Sequence, residues 1–384
     1  MTPENQAIVD RLQAGVLTPL KQAFIGKDDI VDLMSLCLIA GENLFILGPP
    51  GTAKSALVHE LGKRIDGRAF EYLLTRFTEP NELFGPFDIR KLREGVLETN
   101  TEGMLPEASL VFLDELLNAN SAILNSLLTV LNEKKLRRGR ETMYLPILMA
   151  IGASNHLPED DALRALFDRF LLRVRSDNVG DDHLAAVLQA GWSLEKQNGA
   201  EASITIEELE SLRNLIAEID LTPVLGHYVE LVTRLRKMGI PISDRRAVKI
   251  QRLIAASAIL CQRQEADLSD LWVLEHIWDI EEQRELLRSA VREILNSVEP
   301  DTTRKIHPRS QSPDTPDPDA LLTEIENLNV EAEEFRAEGE PIPNLISDRL
   351  SAIEARIQWL AGEEQRRFLS EKIAETWTKL QQPG

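Results

Sequence analysis

Gly48-Pro49-Pro50-Gly51-Thr52-Ala53-Lys54-Ser55 is the stretch that decides the fold. It follows the run 43–47 and opens a periodic segment at 56–65, so it predicts a strand, a glycine-rich loop and a helix. The loop N–H groups and the start of the helix favour a bound phosphate. Lys54 can then reach the β- and γ-phosphates of a nucleotide, and Ser55 can hold Mg²⁺. This pattern usually has a second Gly before the lysine, and Ala53 suits the loop if its φ stays negative.

A second motif follows a short apolar run at 110–113. Four apolar residues predict a strand that is buried on both faces, as in a parallel sheet. Asp114 and Glu115 then stand at the carboxyl end of this strand, where open α/β sheets bind their ligands. Asp114 suits the coordination shell of Mg²⁺, and Glu115 suits the activation of an attacking water. The alternative is that the two acids only begin a helix.

Two further segments have more than one interpretation. Asn155 follows the predicted strand 147–152, where it could bind a γ-phosphate or a water, although such an Asn is often only a turn residue. The run 134–140 has five basic residues and predicts a hairpin with Gly139 at its tip. Such a run could contact nucleic acid or an acidic polypeptide, or it could be a solvated tip or an inter-subunit contact.

The composition limits the classes of function. The 384 residues carry a formal net charge of −20, which opposes bulk attraction to nucleic acid or to an anionic membrane. The sequence has no run of 18 apolar residues and no apolar secretion core, so we expect no membrane span, no signal peptide and a cytoplasmic location. Cys37 and Cys261 are expected to be buried thiols. The six histidines are scattered, which argues against a histidine metal site.

Changes of pattern predict the domains. We expect an α/β core over 1–179, a parallel sheet with helices on both faces, with a hairpin-type insert at about 85–105 and a second hairpin at about 134–145. The lid, 180–298, has helical periodicity only, including one helix over 270–295. Prolines among Ser, Thr and Asp indicate an extended linker at 299–318. In 319–384, 4-3-4-3 spacing and a break at 339–344 predict a C-terminal helical hairpin with the seam Ile346, Leu350, Ile353, Ile357 and Leu360.

One helix of the predicted lid has an unusual first turn. Ser243 is a plausible N-cap, and Arg245 and Arg246 stand in the first turn of the helix. Because the helix dipole disfavours cations at this end, we expect an anionic partner, either a phosphate or a carboxylate such as Asp244.

The order of these motifs resembles that of the AAA+ ATPases, and their details resemble the MoxR family. The resemblance rests on the segments 48–55, 102–108 (Glu-Gly-Met-Leu-Pro-Glu-Ala), 112–116 (Phe-Leu-Asp-Glu-Leu) and 166–170 (Leu-Phe-Asp-Arg-Phe). Ile242-Ser-Asp-Arg-Arg246 is similar to the RavA branch. The resemblance covers residues 5 to about 298. It does not extend to 319–384, because RavA-type proteins carry a β-containing domain there and this tail has a helical pattern.

The resemblance implies a homo-oligomeric ring, commonly a hexamer, with each ATP held between neighbours. By motif position, the phosphates bind to Gly48, Pro49, Pro50, Gly51, Thr52, Ala53, Lys54 and Ser55. Ser55 and Asp114 serve Mg²⁺, Glu115 is the water-activating base, and Asn155 is sensor 1. Arg169 matches the arginine finger, with Arg164 as the alternative, and Arg245 matches sensor 2, with Arg246 as the alternative. The insert and the basic hairpin are implied to face a central pore or an axial face.

The leading hypothesis is therefore a ring ATPase that remodels or chaperones a partner protein. The family often works with a von Willebrand factor A-domain protein, and the acidic tail and insert could suit such a partner. The first alternative is a nucleic-acid motor that uses the basic hairpin, which the net charge opposes. The second is a nucleotide-gated scaffold without remodelling activity, although a scaffold has no need of Glu115 and Asn155.

Overall fold

The structure is a computed structural model, and it divides into two compact units, Met1–Ser310 and Gln311–Gly384. In the first unit it describes residues 1–88, 90, 93, 99–138, 141–158, 160–180, 183–196, 202–296 and 305–310. In the second unit it describes 311, 321–322, 325–326, 328–329, 331–332, 335, 346, 350, 353–354, 357 and 363–381.

Nine strands lie in the described part of the first unit, and they are listed here in chain order: β1 (Leu44–Leu47), β2 (Ile65–Asp66), β3 (Ala69–Leu73), β4 (Leu110–Asp114), β5 (Lys135–Arg138), β6 (Glu141–Tyr144), β7 (Met149–Ser154), β8 (Leu172–Arg175) and β9 (Ile204–Thr205). Five of them form one sheet of parallel strands in the order β3-β4-β7-β1-β8. The predicted parallel sheet is thus confirmed. We call the edge formed by the strand ends at Leu47, Asp114 and Ser154 the loop edge. We call the opposite edge, where Leu44 and Leu172 begin their strands side by side, the far edge.

Helices surround this sheet and continue beyond it. The described α-helices are α1 (Pro3–Arg11), α2 (Thr18–Ala23), α3 (Asp28–Ala40), α4 (Lys54–Arg64), α5 (Pro80–Phe84), α6 (Ser121–Glu133), α7 (Asp161–Phe167), α8 (Leu184–Lys196), α9 (Ile206–Asn214), α10 (Thr222–Lys237), α11 (Asp244–Leu260), α12 (Gln283–Leu295), α13 (Pro308–Gln311) and α14 (Glu363–Gln381). A π-helical segment, Leu12–Leu17, joins α1 to α2. Short 3₁₀ segments lie at Leu105–Glu107, Leu116–Asn118, Leu215–Glu218 and Leu268–His276.

Burial explains why the central strands form where they do. Every residue of β1 and β7 is buried, and so are Leu110 to Leu113 of β4, which fits strands covered on both faces by helices. Side-chain caps fix the helix starts. Thr205 and Glu208 form a capping box at α9, and Ser243 accepts a hydrogen bond from the Arg246 N–H at α11, as the sequence predicts.

The lid differs from the prediction in two places. Within 180–298, a two-residue strand precedes α9, where β9 pairs in parallel with β2. The helix expected over 270–295 is broken: a 3₁₀ segment ends at His276 and α12 begins at Gln283. Between them, the carbonyls of Ile277 and Trp278 accept hydrogen bonds from Arg173 and Arg246, which hold this irregular segment in place.

The described part of the predicted linker is not extended. The Lys305 carbonyl accepts a hydrogen bond from Arg263, and the His307 ring stacks on Trp272 at 4.6 Å between centroids. Arg309 pairs with Asp29 and Asp32 at the start of α3. Residues 305–310 are therefore packed on the first unit, because they carry an aromatic and a basic side chain that match its surface. Residues 299–304 and 312–318 lie outside the described residues.

The two predicted hairpins are described only in part. β5 and β6 pair antiparallel, with Arg138 opposite Glu141, whereas residues 139–140 lie outside the described residues. In the insert, an isolated antiparallel bridge joins Phe87 to Thr99, and residues 89, 91–92 and 94–98 are not described. Among the described helices, none is long and apolar enough to cross a membrane.

The second unit has its own apolar cluster. It contains four residues of the predicted seam, Ile346, Leu350, Ile353 and Ile357, all buried. Two residues of α14, Leu369 and Ile373, are buried in the same cluster. Leu360 and the predicted break at 339–344 lie outside the described residues.

Candidate nucleotide site

The glycine-rich loop joins β1 to α4 at the loop edge. A Cβ atom at Gly48 would lie 2.1 Å from the Ser176 carbonyl oxygen, so only glycine allows the loop to pass β8 this closely. Gly51 has φ 84°, a left-handed conformation that favours glycine. Thr52 donates to the Pro49 carbonyl at 3.0 Å, and the Ser176 hydroxyl donates to the Thr52 carbonyl at 3.2 Å. The loop is thus built into the fold and does not depend on a ligand for its shape.

Ala53 does not keep the negative φ that the sequence analysis required. It lies at φ 63° and ψ 21°, as the residue that precedes the first turn of α4. The loop geometry demands the left-handed region at this position, which is why a glycine is usual there. An alanine in this region carries strain of about 1–2 kcal/mol, and such strain is often retained at functional sites.

Lys54 is almost fully buried in its own loop. Its Nζ donates to the carbonyls of Gly48 and Pro49, both at 2.8 Å. The ammonium group therefore lies inside the loop, where an incoming phosphate would compete with these two carbonyls for it.

Ser55 and Asp114 come together although 59 residues separate them in the chain. The Ser55 hydroxyl donates to Asp114 Oδ2 at 3.1 Å. A hydroxyl and a carboxylate are the oxygen ligands that Mg²⁺ accepts, and this metal commonly takes only one or two protein ligands beside phosphate oxygens and waters. The described residues contain no cluster of three or more His, Cys, Asp or Glu side chains that could hold a metal alone. The pair therefore fits Mg²⁺ that arrives with a nucleotide.

Glu115 and Asn155 follow directly after β4 and β7. These strands are neighbours, with Leu113 opposite Gly152, and the Gly48 N–H donates to the Ser154 carbonyl at 3.0 Å. Asn155 is thus beside the start of the phosphate loop. Glu115 has φ 50° and ψ 42°, a strained backbone for a non-glycine residue. The structure brings both residues to the edge that carries Lys54, Ser55 and Asp114.

Lys27 is a residue of this edge that the sequence analysis missed. It is buried, and its Nζ donates to the Asp177 carbonyl. Burial lowers the pKa of the Lys27 ammonium, the Asp177 charge opposes this shift, and the Lys54 charge adds to it. Lys27 is therefore near enough to Lys54 for the two charges to interact. The signal in the sequence was the break Phe24-Ile25-Gly26 before α3, where Gly26 has φ 72° and approaches Val179.

Arg169 lies at the far edge and not at the loop. The Asn43 side chain donates to the Arg169 carbonyl at 3.1 Å, immediately before β1 begins. From Asn43 to Gly48 the strand spans about 16 Å at 3.3 Å per residue, which is too far for an arginine side chain to bridge. Among the described residues, the buried Arg169 Nε has no hydrogen-bond partner, and Arg169 Nη1 forms an ion pair with Asp168 Oδ2 at 3.9 Å. Arg164 lies on α7 just before this point.

Arg245 and Arg246 have different environments at the start of α11. Arg245 donates to the side chain of Asn132 at the end of α6. Leu131 precedes Asn132, and its carbonyl accepts a hydrogen bond from the Asn43 side chain at 3.2 Å. The contact between Arg245 and Asn132 therefore also lies at the far edge. Arg246 is buried and pairs with Asp279 at 3.0 Å. The anionic partner expected at this helix start is thus Asp279 and not Asp244, which pairs with Arg236.

Comparisons with known proteins agree with this geometry. A family model described as the MoxR domain in the MoxR-vWA-beta-propeller ternary systems matches residues 10–214, and an AAA lid domain model matches residues 209–291. An uncharacterized protein of Methanocaldococcus jannaschii is 36% identical over 263 residues, which are 68% of either chain. The chaperone MoxR1 of Mycobacterium tuberculosis is 26% identical over 165 residues, 42% of either chain. A solved structure from Cytophaga hutchinsonii has a TM-score of 0.62 at 19% identity and covers 77% of this chain and 96% of that one, which shows a shared fold.

Proposed function

The chain belongs to the MoxR family of AAA+ ATPases, and from this premise we propose that it hydrolyses ATP at a site shared between two copies. One copy would supply the loop edge with Lys54, Ser55, Asp114, Glu115 and Asn155. The next copy would supply Arg169, and with it Arg245, from its far edge. The observation that carries this proposal is the separation of Arg169 from the loop of its own chain.

Each side chain has a role that its position supports. Lys54 would leave its two loop carbonyls for the β- and γ-phosphates, so the bound state differs from the free one in a definite contact. Ser55 and Asp114 would hold Mg²⁺, which supplies charge neutralisation when it is bound. Glu115 would orient the attacking water, and Asn155 would bind that water or the γ-phosphate.

Arg169 is the group on which assembly would depend. Within its own chain, the Arg169 guanidinium has an ion pair of 3.9 Å with the adjacent Asp168, and its buried Nε has no hydrogen-bond partner among the described residues, so it keeps donors that a phosphate could accept. An arginine supplied in trans is worth on the order of 10³–10⁵ in rate. Isolated subunits should therefore hydrolyse ATP slowly, and a closed ring, which we propose to be a hexamer, should hydrolyse it fast.

The work of this ring would be the remodelling or chaperoning of a partner protein. The relative named as a chaperone supports this kind of work, and the family description that includes vWA systems supports a von Willebrand factor A-domain protein as the partner. The segment Ile242–Arg246 supports placement near the RavA branch. A cytoplasmic location is part of the same proposal.

Steady-state hydrolysis with Glu115→Gln tests the proposal. We expect hydrolysis to fall by at least a hundredfold while a fluorescent ATP analogue still binds with wild-type affinity, because Glu115 acts on water and not on the phosphates. Asp66→Asn, which removes an exposed carboxylate from β2, is the matched control. Full hydrolysis in Glu115→Gln would exclude Glu115 as the group that orients the water, and no hydrolysis in the wild type at any concentration would favour a nucleotide-gated scaffold instead.

A further inference from the structure

Arg173 is a fully buried cation on an outermost strand of the central sheet. It lies on β8, opposite Phe45 of β1, and only 1% of its surface is exposed. Its guanidinium donates to the carbonyls of Trp278 at 2.8 Å, Ile277 at 3.3 Å and Phe167 at 3.3 Å. Burial and the nearby Arg246 charge lower the pKa of Arg173 to about 9, and Asp279 opposes this shift. Such a group needs a counter-charge inside the fold.

Asp279 supplies this counter-charge to two arginines at once. Its Oδ1 lies 2.9 Å from Arg173 and 3.0 Å from Arg246, and its Oδ2 lies 3.1 Å from Arg246. Asp279 belongs to the irregular segment 277–282 of the lid, whereas Arg173 belongs to the sheet. The three side chains thus form one ion triad across the boundary between core and lid.

Arg173, the member of the triad that belongs to the core, contacts Phe167, which is close to Arg169 in the chain. The Arg173 guanidinium stacks over the Phe167 ring at 4.2 Å and donates to its carbonyl. Phe167 is the last residue of α7 and stands two residues before Arg169. The orientation of the short segment that carries Arg169 therefore depends on where Arg173 is held.

The lid end of the triad leads to Arg245. Arg246 donates to Asp279 and to the Pro241 and Ile277 carbonyls, which fixes the first turn of α11 against the segment 277–282. Arg245 is the preceding residue and contacts Asn132 at the far edge. The Asp279 carboxylate therefore binds both Arg173, which contacts the segment before Arg169, and Arg246, which follows Arg245 in the chain. Arg169 and Arg245 both lie at the far edge, away from the phosphate loop of their own chain.

The geometry points to Asp279 as a positioning residue that sets Arg169 and Arg245 in one arrangement for the phosphate site of a second copy of this chain. The inference rests on the proposed function, because it assigns a support to the two arginines that a neighbour would receive. Asp279 itself does not touch the nucleotide in this account. Loss of Asp279 should weaken the contribution of Arg169 and Arg245 to ATP hydrolysis at the neighbouring subunit. The nucleotide site of the altered subunit itself should stay intact.

Assemblies of two different variants can separate the supply of Arg169 to a neighbouring subunit from the hydrolysis of ATP at a subunit's own site. A donor subunit carries Glu115→Gln, so it cannot hydrolyse ATP but still presents Arg169. An acceptor subunit carries Arg169→Ala, so its own site is complete but it presents no finger. Each variant alone should be inactive, and a mixture should recover hydrolysis at the acceptor sites that border a donor. If the mixture recovers nothing, the shared site of the proposed function is wrong, whatever Asp279 does.

The inference is tested by placing Asp279→Asn in the donor. We expect recovered hydrolysis to fall at least fivefold, as a lower value of kcat with KM unchanged, since couplings between sites are commonly 5–150-fold. Binding of a fluorescent ATP analogue to the donor alone should stay within twofold. Glu281→Gln is the matched donor control, because it neutralises another carboxylate of the same lid segment, which pairs with Arg175 at 2.6 Å beside the loop. Full recovery with Asp279→Asn, or an equal loss with Glu281→Gln, would overturn the inference.

A second donor variant guards against misfolding of the first. Arg246→Lys keeps a positive charge beside Asp279 but loses the two-pronged contact of the guanidinium. If Asp279→Asn does not assemble with the acceptor, Arg246→Lys should show the same fall in kcat at normal assembly mass. Normal recovery with an assembled Arg246→Lys donor would overturn the inference as well.

Discussion

The Ser55 hydroxyl lies 3.1 Å from Asp114 Oδ2, which joins the end of the phosphate loop to the end of a different strand. Two oxygen ligands are thus set side by side at the loop edge before any nucleotide arrives. Such preorganisation lowers the cost of binding a metal with the substrate. Loss of the carboxylate should therefore affect the metal more than the nucleotide.

We predict that Asp114→Asn raises the Mg²⁺ concentration needed for half-maximal binding of a fluorescent ATP analogue by about tenfold or more. The reason is the loss of the one negative charge in the ligand pair. Mutation of residues that only hydrogen-bond to metal ligands already lowers metal affinity by about 10–100-fold. Binding without metal should change by less than twofold. Titration with Mg²⁺ and with EDTA measures both quantities, and equal losses with and without metal would exclude Asp114 as a ligand.

Ala53→Gly should be tolerated, whereas Gly51→Ala should not. Ala53 has φ 63° and Gly51 has φ 84°, so the first change relieves strain and the second introduces it. We expect Ala53→Gly to change the free energy of unfolding by less than about 1 kcal/mol, and Gly51→Ala to lower it by about 1–2 kcal/mol. Calorimetric unfolding and nucleotide titration measure the pair. Strong destabilisation by Ala53→Gly would contradict the left-handed loop.

Substitution of Arg245 and of Arg246 with Ala should have different effects, one on ATP hydrolysis and the other on the stability of the fold. Arg246→Ala leaves the half-buried Asp279 carboxylate with one partner fewer and should destabilise the fold by about 3 kcal/mol. Arg245→Ala should change stability by less than about 0.5 kcal/mol and reduce hydrolysis at assembly concentrations at least tenfold. Thermal unfolding and steady-state hydrolysis, measured on the same samples, distinguish the two. The reverse pattern would make Arg246 the nucleotide sensor.

His307 should make the stability of the first unit depend on pH. Burial lowers its pKa to about 4 from the usual 6.5, and the groups that act on it further are Asp32, Lys21, Arg309 and Arg263. Between these values the unfolded chain binds a proton that the folded protein does not, so stability is complete above pH 6.5 and is lost as the pH falls towards 4.

From pH 7 to pH 5 the wild type should therefore lose about 2 kcal/mol more than His307→Phe, a variant that keeps an aromatic ring against Trp272. Thermal unfolding at the two pH values measures the difference. Parallel losses in both proteins would place His307 outside this effect.

Local patterns predicted the parts of the fold that depend on short stretches of chain. The phosphate loop, the buried strands at Leu110 and Ile147, the capping box at Thr205 and the N-cap at Ser243 depend on residues within a few positions. The comparisons then established the family that the motifs suggest.

Long-range contacts explain what the sequence did not reveal. Asp279 lies 33 residues from Arg246 and 106 from Arg173, so no spacing rule could pair them. Arg173 and Arg246 contact the segment where the helix expected over 270–295 is broken, and other long-range contacts, from Arg263, Trp272 and Asp32, hold residues 305–310. Lys27 was missed because the break Phe24-Ile25-Gly26 indicates a turn but does not indicate that the lysine after it is buried at the loop edge.

The most direct test of the shared site is ATP hydrolysis against protein concentration, with assembly mass determined on the same samples of wild type, Arg169→Ala and Arg164→Ala. We predict that the specific activity of the wild type rises with assembly. Arg169→Ala should assemble but hydrolyse ATP at least a thousandfold more slowly, and Arg164→Ala should behave like the wild type. Wild-type activity that does not change with assembly, or an assembled Arg169→Ala that hydrolyses ATP at the wild-type rate, would contradict the shared site.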